Sequence, residues 1–137
     1  MKKLLLVAFV AVFAFATTSC KKEKGLDGTT WKYHMSETET IQGMVMSVTM
    51  DATLNFVDET NGTMTVDGEM AVDGQVLDKN SSTEKFTYTF DSETGKGTMT
   101  NVVENANEQA ETIEFTRTDD THISIVAEGQ SMVFTKE

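Results

Sequence analysis

Met44-Val45-Met46-Ser47-Val48-Thr49-Met50-Asp51-Ala52-Thr53-Leu54-Asn55-Phe56 decides how the chain folds. Every even position from 44 to 56 is apolar: Met44, Met46, Val48, Met50, Ala52, Leu54 and Phe56. Between them stand the polar residues Ser47, Thr49, Asp51, Thr53 and Asn55. Successive side chains of a strand point to opposite faces, so this alternation predicts one long strand with one buried face.

The same period recurs outward in both directions. Trp31, Tyr33 and Met35 alternate with Lys32 and His34, and Met64 and Val66 with Thr63, Thr65 and Asp67. Phe86, Tyr88 and Phe90 alternate with Lys85, Thr87 and Thr89, and Ile113 and Phe115 with Thr112, Glu114 and Thr116. Ile123 with Ile125 and Met132 with Phe134 complete the series, and no long stretch repeats at helical spacing. Eight strands are predicted, roughly 29–36, 44–57, 62–72, 84–91, 97–104, 111–117, 122–127 and 131–136.

Turn chemistry marks the cuts. Asp58-Glu59-Thr60-Asn61-Gly62 and Asp91 to Gly97 supply the Asp, Asn and Gly that a reversing chain uses. The two hairpins echo each other, with Gly62-Thr63-Met64-Thr65 beside Gly97-Thr98-Met99-Thr100. Connections alternate in length: 37–43, 73–83 and 105–110 are expected as long loops, 58–61, 92–96 and 118–121 as tight turns. In an up-and-down meander the long loops then gather at one end. Eight strands with their apolar residues on one face bury that face by closing on themselves, so the expected fold is an all-β, eight-stranded antiparallel up-and-down barrel.

Leu26-Asp27-Gly28-Thr29-Thr30-Trp31-Lys32-Tyr33 looks like the Gly-x-Trp start of lipocalins and other calycin barrels. Phe86 through Thr98 is similar to a later hairpin of small bacterial lipocalin-like lipoproteins. The resemblance implies a small barrel with an interior ligand site. It also implies that the early Trp31 packs at the barrel base under a basic side chain from near the C-terminus. Lys136, in line with Met132 and Phe134, is the first candidate for that contact, and Arg117, in line with Ile113 and Phe115, the second.

The first 20 residues read as a leader. Lys2 and Lys3 precede a 13-residue apolar run, Leu4 to Ala16, too short to span a bilayer and fitting a signal h-region. Thr17-Thr18-Ser19-Cys20 resembles the lipobox of bacterial lipoproteins, which implies a diacylated Cys20 as the new N-terminus. An ordinary secretory signal cut nearby, leaving Cys20 as a free thiol, is the alternative. The expected organisation is a signal peptide over 1–19, lipidated Cys20 with a tether over 20–27, and the barrel domain over 28–137. The expected location is the bacterial cell envelope, lipid-anchored to the outer membrane on its periplasmic face. Lys21-Lys22-Glu23-Lys24 reads as a solvated linker or a contact for anionic headgroups.

Composition narrows the function. After the leader, 22 acidic residues face nine basic ones, a net charge of −13. So acidic a domain repels phosphate backbones, which excludes nucleic acid as a partner. One cysteine excludes a disulfide framework and a thiolate zinc site. No metal site or cofactor is expected, and no catalytic constellation: His34 falls on an outward strand face, His122 at a turn edge, and no Gly-x-Ser-x-Gly elbow occurs. The methionines stand at alternating strand positions, so they read as core or pocket lining rather than as a copper site.

Two functions fit. One is a lipid-anchored barrel that binds a small hydrophobic or amphipathic ligand at the end opposite the aromatic base. Met35, Met44, Met46, Met70, Phe86, Ile113, Ile125 and Met132 would line its mouth, with Tyr33 and Tyr88 one step deeper. The other is a non-enzymatic interaction or inhibitor module whose acidic surface binds a cationic protein partner.

Overall fold

The computed structural model describes residues 25–137. The leader, Cys20 and Lys21-Lys22 lie outside the described residues. Eight strands follow in order: β1 (Thr29–Ile41), β2 (Met44–Phe56), β3 (Asn61–Val72), β4 (Gln75–Phe90), β5 (Lys96–Asn101), β6 (Thr112–Arg117), β7 (His122–Ala127) and β8 (Gln130–Lys136). They form a closed antiparallel up-and-down barrel in sequence order.

Two of the expected long loops are strand instead. β1 runs on to Ile41 and β4 begins at Gln75, so 37–41 and 75–83 are paired backbone. The reversals shrink to Gln42-Gly43 (φ 52° and 81°) and Asp73-Gly74 (φ 48° and 81°). Positive φ at both central residues is the type I′ hairpin geometry, which favours Gly in the second place. The alternation signal fails there because Glu37, Glu39, Asp78, Asn80 and Ser82 occupy the positions that face the barrel axis lower down. Cross-strand pairing to β2 and β3 carries these segments, whose apolar residues Ile41, Val76 and Leu77 stay exposed. Only the β5–β6 connection, which includes 105–110, remains a loop.

The strands are therefore unequal. β1 to β4 hold 13, 13, 12 and 16 residues, β5 to β8 only 6, 6, 6 and 7. β1 meets β8 only at Trp31↔Lys136 and Lys32↔Thr135. β4 pairs with β5 no higher than Phe86↔Asn101. Above those points β1 to β4 continue as a four-stranded sheet that outruns the barrel, with a free edge on each side.

The core sits at the base. Trp31, Leu54, Phe56, Phe115, Ile123, Ile125 and Phe134 are all at most 2% exposed. Phe56 is its hub, with edge-on contacts to Phe86 (5.7 Å) and Tyr88 (4.8 Å) and a tilted one to Phe115 (6.0 Å). Such ring pairs are worth about 0.5–1.5 kcal/mol each beyond their buried area. Leu26, which the sequence places in the tether, is also in this core at 2% exposure. The Gly28 N–H bonds the Phe56 carbonyl at 2.7 Å, and Thr29 bonds back to the Leu26 carbonyl, folding the segment under the barrel. The Trp31 indole N–H donates to Thr29 Oγ1 at 2.8 Å.

The base turns share one device. The Asp58 carboxylate accepts the Thr60 and Asn61 N–H groups, Asp91 those of Glu93 and Thr94, and Asp119 that of Thr121. These Asx-type bonds close each reversal from within. They also hold the Asp58 carboxyl below the ordinary carboxylate range and that of Asp119 down to about 2.

The repeated Gly-Thr-Met-Thr stretches now have a physical reason. Gly62 lies opposite Phe86 and Gly97 opposite Phe115, and each ring crosses the glycine. A Cβ on Gly62 would stand 2.4 Å from the Phe86 ring and 2.7 Å from the Asn55 carbonyl. On Gly97 it would stand 2.3 Å from the Phe115 ring and 2.4 Å from the Thr89 carbonyl. Backbone atoms cannot swing aside, so Gly62→Ala and Gly97→Ala are each expected to lower stability by about 1–3 kcal/mol in urea unfolding. The control Gly43→Ala places its Cβ in open space. Its only handicap is the positive φ, and it should cost less than either.

Tyr88 latches the β2–β3 turn: its hydroxyl donates to the Asp58 carbonyl, and its ring is buried against Phe56. Burial, with Asp27, Asp58 and Glu59 nearby, pushes its phenol up to about 12. The unfolded chain loses this proton first, near pH 10, so stability falls as pH rises from about 10 to about 12. Tyr88→Phe should remove the tyrosinate absorbance step near pH 12 and flatten that part of the alkaline unfolding curve.

Candidate binding surface

Cross-strand register fixes which side chains share a face. Trp31 stands opposite Leu54, Tyr33 opposite Ala52, Met35 opposite Met50, Glu37 opposite Val48, Glu39 opposite Met46 and Ile41 opposite Met44. Next along, Met46 stands opposite Val72, Val48 opposite Met70 and Ala52 opposite Val66. The face that is core at the base therefore continues up the projecting sheet. It has an apolar stripe on β2 and β3. Acids flank its upper part, Glu37 and Glu39 on β1 and Asp78, opposite Met70, on β4; Glu84, opposite Met64, lies lower, level with Leu54.

This face is solvent-exposed where it leaves the barrel. Ile41, Met44 and Val48 are 46%, 47% and 40% exposed, although they continue a stripe that is sealed lower down. Six of the ten large exposed apolar residues, Ile41, Met44, Val45, Val48, Val76 and Leu77, belong to the projecting sheet. A concentration of this kind is the ordinary signature of a contact surface. The opposite face carries Ser36, Thr38 and Thr40 on β1 and a Lys79–Glu69 ion pair at 3.8 Å, together with the exposed Val45 and Val76, which stand opposite Thr40 and Ala71. By register Lys79 and Lys85 belong to that opposite face, and Lys85 also borders the same cavity as Glu84.

The residues expected to line a mouth divide into three groups. Met35, Met44, Met46 and Met70 lie on the apolar face of the projecting sheet. Tyr33, Ile113 and Met132 pack partly buried against the core. Phe86, Tyr88 and Ile125 are core residues at 6%, 6% and 1% exposure, and Phe86 also lines the opening beside Met64 and Ile113. Val48, Met50, Val66 and Val72 complete the face. Sequence periodicity marked them as apolar, but their site role depends on strands β5–β8 being too short to cover them.

At the base, Lys136 Nζ lies 6.0 Å from the Trp31 ring centroid, a cation–π distance. Arg117 stands 5.0 Å over Phe90 instead.

A pocket of about 120 Å³ opens where β4 leaves β5, lined by Met64, Phe86, Met99 and Ile113 with Glu84 and Glu111 at its rim. Drug-sized ligand sites run from about 300 Å³ upward, so this space admits only a small group. Larger open grooves follow the seams. One near Tyr33, His34 and Val133 holds about 420 Å³, and one between β6 and β7 about 550 Å³.

Two imidazoles pair with carboxylates, His34 with Asp51 at 2.6 Å and His122 with Asp119 at 2.9 Å. Side-chain exposure is 62% and 60% for the first pair and 42% and 56% for the second, so water screens both. His122 Nδ1 also meets Thr121 Oγ1 at 2.9 Å, which closes a turn. Among the described residues, no three His, Cys, Asp or Glu side chains are grouped to hold a metal ion.

Comparison of the chain with protein-family models, with curated proteins and with solved structures returned no match.

Proposed function

We propose that this is a non-enzymatic, lipid-anchored envelope protein that binds a partner on the apolar face of its projecting sheet. The barrel base is the rigid mount. The observation that carries the reading is the continuation of the core stripe, Met44 to Met50, beyond the strands that would cover it. Its exposure costs solvation that a contacting surface would recover, at about 25 cal/mol per Å² of apolar area. Acylation of Cys20 supplies the anchor, and the charge of the domain sets the sign of its partners.

A second reading, a small apolar molecule held in the barrel, is supported by the pocket between Met64, Met99 and Ile113. Its volume of about 120 Å³ favours the sheet over the interior.

Native mass spectrometry of the protein released from its own envelope separates the two. A protein-sized adduct that disappears in Met46→Glu/Met70→Glu is the expected result. A small-molecule adduct that survives this double change but disappears in Ile113→Trp moves the site to the mouth and overturns the sheet. Cys20→Ala should shift the protein from the membrane pellet to the soluble fraction.

A further inference from the structure

The geometry points to a cationic amphipathic helix as the partner segment that lies on the projecting sheet, along β2 and β3 and between its two acidic margins. This rests on the reading of that sheet as the binding surface and adds the chemistry of what binds there.

Dimensions and charge both lead to it. The apolar stripe on β2 from Met44 to Met50 spans about 20 Å at strand rise, the length of a helix of about 14 residues. The stripe is two strands wide, and β1 and β4 lie about 14 Å apart across it, enough to seat one helix of about 10 Å diameter. Glu37 and Glu39, opposite Val48 and Met46, line one side, and Asp78, opposite Met70, lines the other. Among the described residues, none of the ion pairs engages these three carboxylates. A helix with a Leu- or Ile-rich face, flanked by Lys or Arg on both sides, would bury its apolar face on the methionines. Its long basic side chains would reach outward to both margins. Methionine suits such a surface because its unbranched thioether repacks against different side chains.

Other occupants fit less well. A second copy would bring acidic margins against acidic margins, and an anionic membrane would be repelled in the same way. An added strand on the β4 edge would meet the irregularity between Met70 and Ala71, where Asp78 and Val76 are the successive partners and Leu77 is left over. Bulges of this kind disrupt edge pairing.

The test uses the full chain in nanodiscs of zwitterionic lipid and a labelled synthetic Leu/Lys amphipathic helix of about 15 residues. Binding is read by fluorescence anisotropy as the difference from empty nanodiscs. Expected is saturable binding that weakens at least about tenfold in Glu37→Lys/Glu39→Lys and in Met46→Glu/Met70→Glu, and that weakens with added salt. Glu37 and Glu39 are exposed and Met46 and Met70 half-buried, and far-UV circular dichroism of each variant should match the parent. A Leu/Glu helix of the same pattern should not bind. Equal binding of both peptides, or binding unchanged in the Glu37/Glu39 variant, overturns the cationic helix. The sheet itself stands if native mass spectrometry still shows an adduct that Met46→Glu/Met70→Glu removes, and falls if that adduct is also missing. A dimer in sedimentation velocity that Met46→Glu/Met70→Glu dissolves would put a second copy in the helix's place and overturn the inference.

Discussion

The barrel closes through Trp31↔Lys136 and Lys32↔Thr135, and everything above depends on how low that seam lies. Around it are the Lys136 ammonium near the Trp31 ring, a Lys32–Glu137 ion pair at 2.9 Å and the Glu137 N–H bonded to the Thr30 carbonyl at 2.9 Å. The ion pair is exposed and contributes little by itself. The weight falls on Trp31, which is buried to 1% exposure among the base rings. Closing a sheet at one end leaves its strands free to continue at the other. β1 to β4 do continue, and the surface they carry follows from that asymmetry.

The two ends are made stable by different physics. At the base, large rings meet across glycines that leave room for them, and aspartates close the turns with their own carboxylates. In the projecting sheet, cross-strand backbone bonds and tight type I′ turns do the same work with little burial. Asp73 adds one bond, accepting the Val45 N–H at 2.9 Å, which ties the two tip hairpins together. Local opening should therefore begin in the projecting sheet and its free edges, while the base exchanges its amides last.

Much of the barrel could be read from residues alone, because β2 alternates over its whole length and the aromatic triplet Phe86-Thr87-Tyr88-Thr89-Phe90 repeats the pattern. Eight strands and their order followed. The upper halves of β1 and β4 were not legible, since Glu37, Glu39 and Asp78 stand where apolar residues mark a strand. The same acids that hid these segments are what give the surface its character. Leu26 was missed for a different reason: a single apolar residue carries no period, and only the fold shows that it seals the base. Among the methionines, the sequence distinguished apolar positions from polar ones. It could not separate Met99, which is buried, from Met44, which is not, because that depends on how far the neighbouring strands reach.

The burial of Leu26 sets a height. With Cys20 acylated as proposed, only residues 21–25 separate the lipid from the first anchored side chain. Six Cα steps reach at most about 20 Å, so the base would be held close to the bilayer on a short leash. β1 then rises about 40 Å along its length to Ile41. The acidic-margined sheet would stand within a bounded distance of the membrane, its tip pointing away and its face turned sideways. A partner rooted in the same membrane would need an arm of matching length to engage it, whereas a free one would meet it first. Reach, more than affinity, would then decide which of two equally basic helices is bound.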